Sequence, residues 1–95
     1  MITIAVSEIL SALADNNRRR VLEILKKGKI SSGDLAKELD VTPQALSYHL
    51  NKLKKADLIY ETKHKNYIYY ELNLTVLDEA LLWIVKLRGD HDDEN

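Results

Sequence analysis

Thr42-Pro43-Gln44-Ala45-Leu46-Ser47-Tyr48-His49-Leu50-Asn51-Lys52-Leu53-Lys54-Lys55 opens with a threonine followed by a proline. That pair reads as an N-cap and a first-turn proline, so a helix starts here. Ala45, Leu46, Leu50 and Leu53 recur at helical spacing and give it an apolar side. The opposite side shows Thr42, Gln44, Ser47, Tyr48, Asn51, Lys52 and Lys55. No Asp or Glu occurs from Val41 to Lys55.

Upstream, Ser31 stands three residues before Asp34, close to a capping box, and opens a short helix with Leu35, Ala36 and Leu39 inward. Asp40-Val41-Thr42 is a tight join between the two. Farther back, Asp15 is a good N-cap and Gly28 a good stop for a helix with Val21, Leu22, Ile24 and Leu25 on its apolar face. The chain begins with Ile2, Ala5, Val6, Ile9, Leu10 and Leu13 at three- and four-residue steps, an amphipathic helix.

Downstream the period changes. Leu58-Ile59-Tyr60-Glu61-Thr62 and Tyr67-Ile68-Tyr69-Tyr70-Glu71-Leu72 are rich in β-branched and aromatic residues. Lys63-His64-Lys65-Asn66 joins them, which makes a β-hairpin with Asn66 in the left-handed conformation of the turn. Thr75, three residues before Asp78, opens a last helix carrying Leu77, Leu81, Ile84, Val85 and Leu87, and Gly89 closes it. The fold expected is mainly α with a β-hairpin wing: four helices, a hairpin and a fifth helix, a winged helix-turn-helix. Residues 1–89 form one domain and 90–95 an acidic tail.

Composition bounds the function. The 95 residues are 45% hydrophobic and 31% charged, which is a globular balance. With no cysteine, the chain has no disulfide, no thiolate metal site and no thiol switch. The longest apolar run, Leu81 to Val85, is too short to span a bilayer, and Met1 to Val6 lacks the basic region of a signal peptide, so a cytoplasmic location is expected. The net charge of −1 conceals an asymmetry. Between Thr42 and Asn66 five lysines (52, 54, 55, 63 and 65) face only Asp57 and Glu61. From Val76 onward, Lys86 and Arg88 face six acids. Gly-rich phosphate loops, activated nucleophiles and paired acids are all missing, so an enzyme is not expected.

A helix pair followed by a hairpin, with an acid-free outward face, fits the major groove of double-stranded DNA. Glutamine pairs bidentately with adenine, serine serves base edge or phosphate, and lysine neutralises phosphate. His49 stands beside that stripe, where it could donate to phosphate, and the basic tip Lys63-His64-Lys65 would follow the flanking backbone or minor groove. The tyrosines at 60, 67, 69 and 70 lie on paired strands and read as packing residues rather than an RNA-stacking platform. Arg18-Arg19-Arg20 points three ways from a helix, so at least one turns inward or caps a neighbour.

Residues 10–15, 18–25, 33–39, 41–50, 53–59 and 69–72, above all Ser47-Tyr48-His49-Leu50, resemble the ArsR/SmtB family of bacterial repressors. The closing stretch from Tyr69 to Leu77, with Trp83, is similar to the SdpR-like branch, whose members act as autorepressors. The resemblance implies a homodimer built from the first and last helices, with Ile2, Val6, Ile9, Leu13, Leu77, Leu81 and Ile84 at the interface. It also implies that Gln44, Ala45, Ser47, Tyr48 and His49 enter the major groove. A pseudo-palindromic operator and relief by an inducer ligand or a sequestering protein would follow. Departures are Asn16-Asn17 in place of Pro-Thr, and Asp40 and Asp57 where glycine is common, each of which must accept a left-handed backbone.

Some family members sense metals through the last helix. Asp78, His91 and Glu94 stand at matching separations, but Ala80 replaces the first histidine, so no metal and no cofactor are expected. The rival functions are a winged-helix protein-interaction module that does not bind DNA, and a metal-responsive sensor using the C-terminal helix.

Overall fold

The computed structural model describes residues 6–89. Its elements are α1 (Val6–Leu13), α2 (Asn16–Leu25), β1 (Ile30–Ser31), α3 (Ser32–Leu39), α4 (Pro43–Lys55), β2 (Ile59–His64), β3 (Tyr67–Leu72) and α5 (Leu74–Leu87). The expected order of helices and hairpin is present. Ile2 and the rest of the first five residues, and the acidic tail with His91 and Glu94, lie outside the described residues.

Local chemistry starts the helices where the sequence says. The Asp15 carboxylate accepts from the backbone N–H groups of Asn17 (2.7 Å) and Arg18 (3.2 Å). Ser31 Oγ accepts from Asp34 N–H at 3.2 Å, and Thr42 Oγ1 from Ala45 N–H at 3.1 Å. Each such cap stabilises its helix by about 0.5–2 kcal/mol. Asp40 and Asp57 both take φ of 58°, the left-handed backbone asked of them. An aspartate tolerates this better than most residues because its short polar side chain can hydrogen-bond locally.

Three local expectations are corrected. In the hairpin turn Lys65 has the positive φ, 58°, not Asn66. The last helix is capped by Asn73 rather than Thr75. Asn73 Oδ1 accepts from Val76 N–H at 3.4 Å while its Nδ2 donates to the Asp57 carbonyl at 2.9 Å, so one buried amide ties the start of α5 to the end of α4. A third strand, β1, pairs with the outer edge of β3 through Ile30↔Tyr70 and Ser31↔Tyr69, giving a sheet ordered β1-β3-β2.

The core is one cluster drawn from α1 to α4 and the base of the wing. Leu35, Leu53, Leu58 and Val21 are fully buried in it, with Leu25, Leu39, Leu46, Leu50, Ile59 and Tyr70 around them. Ile9, expected at a dimer interface, is 3% exposed within this core. Its place is α1's inner side, and Leu10 takes the outer one, 51% exposed. No helix among the described residues is long and apolar enough to cross a membrane.

Candidate nucleic-acid interface

Helix α4 is held from behind. Leu46, His49, Leu50 and Leu53 are buried, and these positions step by three and four along one face. The other face is left to solvent: Thr42, Gln44, Ser47, Tyr48, Asn51 and Lys55 are exposed, and Ala45 and Lys52 half-buried. Its first turn contains no acid, and Lys52, Lys54 and Lys55 fill its last. Its free N–H groups at the N-terminus add positive potential to an already acid-free ridge.

Tyr48 is the largest group on this ridge, 56% exposed. Two cations, Lys52 Nζ and the Arg18 guanidinium, each lie 5.9 Å from its ring centroid. Lys54 is committed elsewhere, bonded to Glu61 at 3.0 Å. Tyr70 O–H donates to the same carboxylate at 2.9 Å. The Lys54 hydrogen bond, then that of Tyr70, holds the Glu61 carboxyl below its ordinary range, while burial and the bond to Glu61 raise the Tyr70 phenol well above its own. This triad fixes the wing to the end of α4.

His49 corrects the sequence reading. Its ring is turned into the protein, 9% exposed, rather than standing beside the outward stripe. Nδ1 lies 3.1 Å from Arg18 Nη1 and 3.9 Å from Asp15 Oδ1. The signal was in the register, since 46, 49, 50 and 53 form one helical stripe. Arg18 obeys the same rule with Val21 and Leu25. Although partial burial opposes ionisation, backbone N–H bonds from Arg18 and Asn17, helped by His49 and Arg18, hold Asp15 below the ordinary carboxylate range.

Lys63, His64 and Lys65 are exposed at the end of the wing. Lys63 and His64 are the last residues of β2, opposite Ile68 and Tyr67, so they point to opposite faces of the ribbon. An open notch beside them is lined by Lys29, Thr62, Lys63, His64 and Tyr69, with Lys29 Nζ 5.8 Å from the Tyr69 ring. Nothing in the local sequence marks Lys29; the pairing of β1 with β3 brings it to the wing. Of the four strand tyrosines, Tyr70 is buried and Tyr69 half-buried, whereas Tyr60 and Tyr67 are more than half exposed.

A second surface lies on the far side. Helix α5 contains no buried residue. Leu81, Leu82, Trp83, Ile84 and Leu87 are all exposed, and Val6, Ile9, Leu10, Leu13, Ala80, Trp83 and Ile84 line an apolar notch between α1 and α5. Of the residues expected at a dimer interface, Leu81 and Ile84 are open, Val6, Leu13 and Leu77 half-buried, and Ile9 internal. Among the described residues no cluster of three His, Asp or Glu could hold a metal ion, and Asp78 is exposed on α5.

The family described as "Helix-turn-helix domain" matches residues 13–61. The chain is 35% identical over 89 residues to the transcriptional repressor SdpR of Bacillus subtilis, covering 92% of this chain and 99% of that one. It is 36% identical over 86 residues to an arsenical resistance operon repressor of the same organism, covering 85% and 82% of the two chains. A homodimeric winged helix-turn-helix DNA-binding domain from Mycobacterium bovis shares the fold, with a TM-score of 0.73 at 23% identity, over 94% of this chain and 82% of that one.

Proposed function

The chain belongs to the ArsR/SmtB family of winged helix-turn-helix repressors, and from that premise we propose a homodimer that represses transcription by occupying a pseudo-palindromic operator. Residues 1–89 act as one DNA-binding and dimerising domain. Helix α4 enters the major groove, where Gln44, Ser47 and Tyr48 meet base edges with Ala45 packed close behind them. Thr42, Lys52 and the wing residues Lys63, His64 and Lys65 meet backbone phosphates. Two copies joined through α1 and α5 would set their α4 helices about 34 Å apart, in successive major grooves.

The observation that carries this reading is the ridge of α4: wholly without acids, exposed, and fixed to the core by its other face. The open apolar face of α5 supports the second copy. The relatives named as repressors support the outcome, blocked access of polymerase. By similarity to SdpR, the first operator to try is the protein's own promoter. Repression would be relieved by an apolar ligand between the end helices or by a sequestering protein.

The test is binding to duplex DNA from that promoter in rising salt. Each neutralised phosphate contributes about −0.9 to the log–log slope. A dimer should therefore show a slope several units negative and prefer the promoter to scrambled sequence. A flat response without preference would favour a protein-interaction module instead.

A further inference from the structure

One buried cation is not used by that reading. Arg18 is 7% exposed, although the two arginines that follow it in α2 face solvent. Its Nε donates to the Ala12 carbonyl at 2.8 Å and its Nη2 to the Ser11 carbonyl at 3.1 Å. Both carbonyls belong to the last turn of α1; that of Ser11 also accepts from Ala14 N–H at 3.2 Å, while that of Ala12 takes the guanidinium in place of a helical N–H. The third arm, Nη1, meets His49 Nδ1 at 3.1 Å. Arginine has no acceptor, so Nδ1 must accept, and the proton of the neutral ring then sits on Nε2. The guanidinium also lies 5.9 Å from the Tyr48 ring, and Tyr48 touches His49 edge-on with centroids 5.5 Å apart.

We propose that Arg18 is a positioning residue for DNA reading: a planar strut that sets the middle of α4 against the end of α1. It touches no DNA. It ties the helix bearing Tyr48 to the helix that, with α5, lines the apolar notch. A shift of α1 at the dimer interface is thereby passed to the reading ridge through three hydrogen bonds in one rigid plane. Lysine cannot replace it, because an ammonium presents a point charge rather than a fork. The inference rests on the proposed DNA reading for its consequence, though not for its geometry.

The test uses the full chain and four variants: Arg18→Lys, Arg18→Gln, His49→Phe and His49→Asn. Fluorescence anisotropy with promoter duplex and with scrambled duplex, across a salt series, is read beside thermal melts and sedimentation. His49→Phe and Arg18→Lys should lower the preference for promoter DNA on the order of 10-fold. Affinity for scrambled duplex and its salt slope should stay as in the parent. His49→Asn should keep most of the preference, since its amide oxygen replaces Nδ1 as acceptor. If Arg18→Lys or Arg18→Gln does not fold, His49→Phe decides alone, because it leaves the bonds to α1 in place. Equal loss on both duplexes with a shallower slope at Arg18 would mean a phosphate contact and overturn the proposal. So would a folded His49→Phe with unchanged preference. Imidazole ¹⁵N shifts separate the geometry from the DNA reading: a proton on Nδ1 in the parent protein overturns the strut whether or not any duplex is bound.

Discussion

Helices α4 and α5 are of nearly equal length, 13 and 14 residues, yet they solve opposite problems. Helix α4 hides its leucines inside the protomer and shows amides, hydroxyls and ammonium groups. Helix α5 has the more apolar sequence and buries nothing completely. Leu74, Leu81, Leu82, Leu87 and Trp83 remain between 38% and 66% exposed. The contrast teaches that hydrophobic content does not by itself make a core helix: four helices and a small sheet already close the core. A helix left over with an apolar side must find a second surface, and an identical copy supplies one by symmetry.

The sharpest way to break this comparison is Ile84→Asp. On the reading above it weakens the dimer by about 1.5–3 kcal/mol for each of the two copies of the side chain. Sedimentation should show monomers that keep the helical circular dichroism of the parent. Loss of the fold would instead assign α5 to the protomer core.

Leu53→Ala tests the other helix. It opens a cavity at a fully buried position and should cost about 2–5 kcal/mol in chemical denaturation, at any protein concentration. A cost that grew on dilution would mean that α4 also serves the interface.

Gln44→Ala sharpens the account of the outward ridge. It should cost about 1–3 kcal/mol at the cognate site and relax base preference there, while leaving the melting curve unchanged. If preference survives intact, the reading residue lies elsewhere on α4.

The smallest effect is expected where α4 meets the wing. The folded Glu61 carboxyl is held below its ordinary value by Lys54 and then Tyr70. Its contribution is therefore present above the unfolded pKa and lost as pH falls through the folded one. The pair is a third exposed, so the stability involved is below about 1 kcal/mol. Glu61→Gln should remove that part of the acid limb, read by thermal melts from neutral pH downward. An unchanged acid limb would show that the bond does not hold the wing.

Much of the architecture is written in short-range chemistry. Asp15, Ser31 and Thr42-Pro43 start their helices because each cap bonds backbone only two or three residues away. Asp40 and Asp57 turn left-handed because the chain must leave a helix there. The acid-free ridge of α4 could be read from residues 41–55 alone, since helical period assigns faces without knowledge of neighbours.

Other features were decided in three dimensions. Strand β1 has two residues and no period of its own; it exists because β3 offers an open edge at Tyr69 and Tyr70. Asn73 supplants Thr75 because only it reaches both Val76 and the Asp57 carbonyl. His49 is ambiguous in the sequence because histidine suits either a surface or a buried environment. What turned it inward was a buried arginine 31 residues earlier in the chain, whose Nη1 is not taken by the carbonyls of α1. A sequence specifies its helices and their faces because those bonds span a few residues. Which polar group is admitted to the interior depends on a partner that only the packed fold brings within reach.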